Sequence, residues 1–303
     1  MTSGALPSQY SGTTQLHSKS GSAAETRRDK WGHTAATRRA AESNSPGPLT
    51  LLCASGRGGS GTSLIAALLA AAAAGDGYKV LLVDTDDLVG PQAISLGVTP
   101  VATWQDLRGG RAAPQDVTTP VSTTLTLIAG GPARRSAAQT TMLSTTERKA
   151  CLRRLSGLAE GMDLVVFDCG SRLENILTAL TPHPYEKLLA ITSGADPIAT
   201  AATYALCKSV LMKHGALEVG LLVNQLERGE ANHCFETINA GMRQFLGSSL
   251  PFAGAIPADP TLDAAVRRGI PFLDAAVGSP AAVAAHDVVT HSMSIRTSSR
   301  IGA

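Results

Sequence analysis

Leu49-Thr50-Leu51-Leu52-Cys53-Ala54-Ser55-Gly56-Arg57-Gly58-Gly59-Ser60-Gly61-Thr62-Ser63 is an apolar run that ends in a glycine loop, and the alanine- and leucine-rich stretch Leu64 to Ala74 follows at once. A strand, a glycine loop and a helix in that order form the setting a phosphate loop requires. Glycines let backbone N–H groups close around phosphate oxygens, and the start of the helix adds a partial positive charge. The spacing G-x-x-x-x-G-K-[ST] is met at Gly56, Gly61 and Ser63, with Ser63 placed to hold a magnesium ion. The lysine of that pattern is absent, and Thr62 stands in its place. A threonine donates one hydrogen bond and brings no charge to the phosphates. On the loop alone, an ordinary glycine-rich strand–helix turn stays open beside the phosphate-loop reading.

The rest of the chain decides between them. Short aliphatic runs recur at Leu49–Ala54, Lys79–Asp84, Leu125–Ala129, Asp163–Asp168, Lys187–Thr192, Val219–Asn224 and Phe252–Ile256. Most are continuous rather than alternating, as in strands buried on both faces of a parallel sheet. Helical segments are expected at Ser63–Ala74, Ser144–Glu160, Ile198–His214 and Asn232–Leu246. The alternation predicts an α/β fold with a doubly wound, mostly parallel sheet and helices on both faces. Residues 1–47 are rich in Ser, Thr, Gly, Ala and Arg with few aliphatic side chains, and read as a disordered basic tail. Within it, Arg27, Arg28, Lys30, Arg38 and Arg39 surround Trp31 as a solvated basic linker. The nucleotide-binding domain is expected over 48–285, with a flexible, Ser-rich tail over 286–303.

The 303 residues are 44% hydrophobic, 17% charged and 4% aromatic, with a net charge of +2. That apolar fraction excludes a wholly disordered chain, and the near-neutral balance gives no electrostatic case for nucleic acid. The longest apolar run, Leu64 to Ala74, is about half of what a membrane-spanning helix needs. Five scattered cysteines (Cys53, Cys151, Cys169, Cys207 and Cys234) make no Cys-x-x-Cys pair and read as small buried hydrophobes in a reducing compartment.

Two strand ends carry acid. Val80 to Asp86 ends in Asp84 and Asp86, two residues apart and on one side of the chain. Leu164 to Gly170 delivers Asp168 and then a glycine. An apolar strand presenting Asp at its C-terminal end aims a carboxylate at magnesium or its water shell, at the ligand-binding edge of a parallel sheet. A lone Asp there is more often a turn former. Several such ends following a glycine loop make a nucleotide site the better reading. His183, between Pro182 and Pro184, reads as a loop residue without a ligand set, and the Arg134-Arg135 pair as part of a solvated loop.

These segments resemble the MinD/ParA family of deviant-Walker ATPases, most of all its flagellar-number branch of FlhG/FleN/YlxH-like proteins. The family loop K-G-G-x-G-K-[ST] is matched by Arg57 to Ser63, its V-L-L-x-D-x-D by Val80 to Asp86, and its Walker B stretch loosely by Asp163 to Ser171. Asp196 to Lys208 resembles the family's E-P-T-x-x-x-D-A-Y-A-L-I-K, Leu222-Val223-Asn224 the strand whose Asn faces adenine, and Gly254 to Asp259 the G-x-I-P-x-D stretch. The likeness spans about 49–283. The chain departs from it at Thr62, and at Arg57, which keeps the charge of the lysine that in the family reaches the partner's nucleotide.

The resemblance implies ATP and Mg2+ as ligands. It implies nucleotide contacts from Gly56, Arg57, Gly58, Gly59, Ser60, Gly61, Thr62, Ser63, Asn224, Pro257 and Asp259. It implies metal contacts from Ser63, Asp86 and Asp168, with Asp86 orienting water if hydrolysis occurs. The expected protein is an ATP-gated homodimer with weak or absent hydrolysis that regulates flagellar number or placement. It would be cytoplasmic, with a peripheral contact at the inner face of the membrane. Two alternatives are a pseudo-ATPase scaffold of the TadZ/CpaE type for pilus or secretion assembly, and, with less support, a ParA-like partition protein.

Overall fold

The computed structural model describes residues 47–132, 134, 144–173, 175–176 and 186–301. The basic tail, Arg135 and His183 therefore lie outside the described residues. Eight strands form one sheet: β1 (Leu49–Ser55), β2 (Val80–Asp84), β3 (Thr118–Pro120), β4 (Leu125–Ile128), β5 (Leu164–Gly170), β6 (Glu186–Ser193), β7 (Glu218–Asn224) and β8 (Phe252–Ile256). Their spatial order is β3-β4-β2-β5-β1-β6-β7-β8. All neighbours pair in parallel except the edge pair β3–β4. Every residue of β1 and β2 is buried, which explains why these strands read as unbroken apolar runs.

The helices are α1 (Thr62–Gly75), α2 (Pro91–Leu96), α3 (Trp104–Arg108), α4 (Thr145–Ala159), α5 (Pro197–Lys213), α6 (Arg228–Leu246), α7 (Pro260–Arg267), α8 (Leu273–Ala276) and α9 (Pro280–Ile301). They divide the core into two layers. On one face Leu49, Leu51 and Cys53 pack with α1 and α9; on the other Leu52 and Ala54 pack with α4, α5 and α6. Trp104 and Phe167 meet edge to face at 6.3 Å in the second layer. All five cysteines are buried thiols.

β1 sits between β5 and β6, so successive crossovers leave it in opposite directions. Ligands of doubly wound sheets bind outside the carboxyl ends of the strands at such a reversal. The glycine loop leaves β1 at that point, and β2 and β5 end beside it.

The C-terminal boundary differs from the expectation. No flexible tail begins at 286: α9 continues through Ile301, and Val288, Val289 and Met293 are buried against the first core layer. Val288 lies against Gly254, where an added Cβ would come within 2.6 Å of its Cγ2. His286 contacts the Asp76 carboxylate at the end of α1 at 3.0 Å. The sequence hid this face because small residues form much of it. Ala281, Ala282 and Ala285 pack where α1 also offers mostly alanine.

Candidate functional site

The loop geometry comes from glycine. Gly59 and Gly61 have φ of 85° and 84°, a left-handed conformation that costs a side chain energy. Gly61 is the N-cap of α1, and no side chain caps that helix. The first N–H groups of a helix lack intrahelical acceptors, so the opening of α1 is available to an anion. Gly56 presses on α5 so closely that a Cβ would lie 2.1 Å from the Ala202 carbonyl carbon. Inside the loop, Ser55 Oγ and Ser60 Oγ both donate to the Arg57 carbonyl, at 2.8 and 3.1 Å.

Thr62 occupies the lysine position as the first residue of α1. It is 6% exposed, and its hydroxyl has no hydrogen-bond partner. A buried, unpaired hydroxyl is costly unless something completes it. A phosphate oxygen in the loop would accept that proton. Uncapped N–H groups, left-handed glycines and this hydroxyl together fit the phosphates of a nucleotide.

The acidic ends of β2 and β5 lie side by side. Asp84 and Asp168 are register partners across β2 and β5, at 0% and 3% exposure. Asp84 Oδ1 accepts from the Asp86 N–H at 3.0 Å and Oδ2 from the Gln92 N–H at 3.1 Å. Burial, reinforced by the neighbouring Asp168, pushes the Asp84 carboxyl well above the ordinary carboxylate range. Burial also raises Asp168, against opposing hydrogen bonds from Ser63 and Gln92. Two carboxylates held out of water side by side favour a cation between them and the phosphates.

Asp86 is placed differently from Asp168. Its Oδ1 accepts from the N–H groups of Leu88 and Val89 at 2.7 and 3.1 Å, which folds the loop after β2 into a turn. Among the described residues, no group of three or more His, Cys, Asp or Glu side chains could hold a metal ion. A protein cage is not what magnesium needs beside a nucleotide. It keeps several waters and takes one or two protein oxygens plus phosphates. Ser63, beside Asp168, fits that role.

Asn224 donates from Nδ2 to the Ser60 carbonyl at 2.9 Å, so it braces the loop. It also lines a small cavity of about 50 Å³ with Gly61, Leu64, Pro257 and Asp259. As it stands, that space is too small for a purine, so seating a base there requires the loop after β8 to give way. Asp259 caps α7, with Oδ1 accepting from Thr261 and Leu262, while its Oδ2 is buried without a partner.

Three features escaped the sequence reading. Gln92 ties the site together, donating from Nε2 to the Ser63 carbonyl and to Asp168 Oδ2, both at 2.8 Å. Arg108 meets Asp87 at 2.7 Å with both side chains under a tenth exposed, anchoring the turn that carries Asp86. An apolar groove of about 810 Å³ runs between α5 and α6, lined by Tyr204, Leu226, Ile238 and Phe245 among others. No spacing rule points to any of the three, since each joins segments far apart in sequence.

A pH dependence follows from the raised carboxyls. Above about pH 4 the unfolded chain ionises Asp84 and Asp168 while the folded chain still holds their protons, so rising pH costs the metal-free fold stability until it passes their folded pKa values. The melting temperature of Asp168→Asn is therefore expected to decline less steeply with pH over that window than that of the parent. Parallel curves would show that this pair does not titrate in a folding-linked way.

The model for the CobQ/CobB/MinD/ParA nucleotide binding domain matches residues 51–272. The chain belongs to this family. Antiactivator FleN of Pseudomonas aeruginosa is 27% identical over 218 residues, covering 70% of this chain and 75% of FleN. The MinC:MinD cell division protein complex of Aquifex aeolicus superimposes with a TM-score of 0.63 at 19% identity, over 81% of this chain and 95% of that one. The septum site-determining protein MinD of Pyrococcus horikoshii, complexed with Mg-ADP, gives 0.60 at 20% identity, over 79% and 93%. At those identities the two structures speak for the fold. Among the described residues, no helix is long and apolar enough to cross a membrane.

Proposed function

We propose that this chain is a nucleotide-gated regulator of the MinD/ParA type. It binds Mg-ATP at Gly56–Ser63, pairs with a second copy in that state, and hydrolyses ATP weakly or not at all. The observation that carries the reading is the buried, unpartnered Thr62 hydroxyl at the uncapped start of α1. The FleN relative supports control of flagellar number or placement as its task.

Each residue has a distinct part in this reading. Loop N–H groups and the Thr62 hydroxyl hold phosphate oxygens. Magnesium, when bound, neutralises phosphate charge; Ser63 would hold it directly, and Asp168 and Asp84 would hold its waters. Gln92 keeps Asp168 and the start of α1 in register. Asn224 keeps the loop closed. Asp86 would orient water only after its turn with Leu88 and Val89 opens. Thr62 supplies no charge, and charge stabilisation is a main contribution to phosphoryl transfer, so binding outlasts turnover here.

Arg57 is exposed at the loop mouth and would reach the partner's nucleotide. In sedimentation runs, Mg-ATP is expected to shift the wild type from monomer to dimer, and Arg57→Ala to weaken that dimer about tenfold or more, the scale of a hydrogen bond to a charged group. Equal dimerisation of the two forms would remove the cross-dimer role. A strain lacking the protein should show altered flagellar number; normal flagellation would redirect the reading. A scaffold acting through partner contacts is the second reading, and the open apolar groove between α5 and α6 favours it.

A further inference from the structure

Arg57 is exposed at the mouth of the loop, yet its guanidinium is engaged. Nη1 donates to Asp196 Oδ2 at 2.8 Å, with the two side chains 44% and 35% exposed. The surroundings prepare this contact. The two serine hydroxyls that donate to the Arg57 carbonyl fix its backbone. Gly56 seats the loop directly on α5. Asp196 is the N-cap of α5: its Oδ1 accepts from the Ile198 N–H at 2.8 Å, which leaves Oδ2 turned to Arg57. The capping bond and the ion pair thus use different oxygens of one carboxylate.

We propose that Asp196 is a positioning residue that holds Arg57 against α5 in the nucleotide-free chain, and that the phosphate of the nucleotide bound by the second copy competes for the same guanidinium. This rests on the nucleotide reading above. A guanidinium binds phosphate in a two-pronged, charge-assisted way that one partly exposed carboxylate oxygen cannot match. The ion pair is solvent-screened and therefore weak enough to be displaced. It lowers nucleotide affinity by the fraction of molecules in which Arg57 is held. It also keeps an unpaired cation away from other anions while the loop is empty.

The test is titration of Mg-ATP against the full chain, Asp196→Asn, Arg57→Ala and the double variant, at low and raised salt. Asparagine keeps the N-cap acceptor and removes the charge. Asp196→Asn is expected to bind about two- to fivefold more tightly than wild type, the scale of an exposed ion pair. That gain should vanish in the Arg57→Ala background and shrink as salt rises. Equal or weaker binding by Asp196→Asn, or the same gain without Arg57, overturns the proposal. If wild type binds no Mg-ATP at all, the nucleotide reading falls and the competition with it. A double-mutant cycle on thermal unfolding without nucleotide then judges the ion pair by itself, and zero coupling overturns the hold on Arg57.

Discussion

A chain ending after Ala285 is expected to lose about 5 kcal/mol of stability, enough to unfold much of the population. Val288, Val289 and Met293 are buried at 5%, 1% and 6% exposure in the same core layer as α1. Removing an aliphatic side chain from a core costs about 1.5–3 kcal/mol in lost burial alone, and stripping all three also bares the Gly254 surface. A typical domain has only about 5–15 kcal/mol to lose. Urea unfolding of the truncated chain checks this, with Val289→Asp and Met293→Asp as point variants and exposed His291→Ala as control. A truncated form with an unchanged midpoint would mean that the part of α9 beyond Ala285 adds nothing to the core.

Thr62→Lys is expected to raise ATP turnover about 100-fold or more over wild type. Removing one preorganised electrostatic contact to a transition state typically costs about 10²–10³ in rate, and a loop lysine next to the β- and γ-phosphates supplies such a contact. The position favours the experiment. Thr62 opens α1, and its hydroxyl has no partner within the chain to lose. Steady-state phosphate release by both forms is the measurement. A variant that binds ATP but stays as slow as wild type would show that the site lacks more than the lysine, with Asp86 the first suspect, since its carboxylate is committed to the turn at Leu88 and Val89.

The sequence exposes the centre of this molecule better than its edges, for physical reasons. β1, β2, β5, β6 and β7 are buried on both faces, so they had to be unbroken apolar runs. The glycine loop is legible because Gly59 and Gly61 need a backbone that other residues resist. Asp84 and Asp168 stand out as charges at the ends of apolar strands. The short helices α2 and α3 are invisible to periodicity because they complete fewer than two turns. The part of α9 beyond Ala285 reads as a tail because its buried residues are few and mostly small and serines are scattered along it. Gln92 has no signature at all: it follows Pro91 at the start of α2 and matters only because the fold brings Ser63 and Asp168 within its reach. The ion pair of Arg57 with Asp196, 139 residues apart, is likewise a product of the sheet order.

The most direct test is the calorimetric affinity of the wild-type chain for Mg-ATP. Saturable binding with one nucleotide per chain is expected, weakened without magnesium and abolished by Gly61→Val, which places a branched side chain at a φ of 84° against the Asn224 amide. Absence of saturable binding by a folded wild type would contradict it and leave the glycine loop as a structural turn.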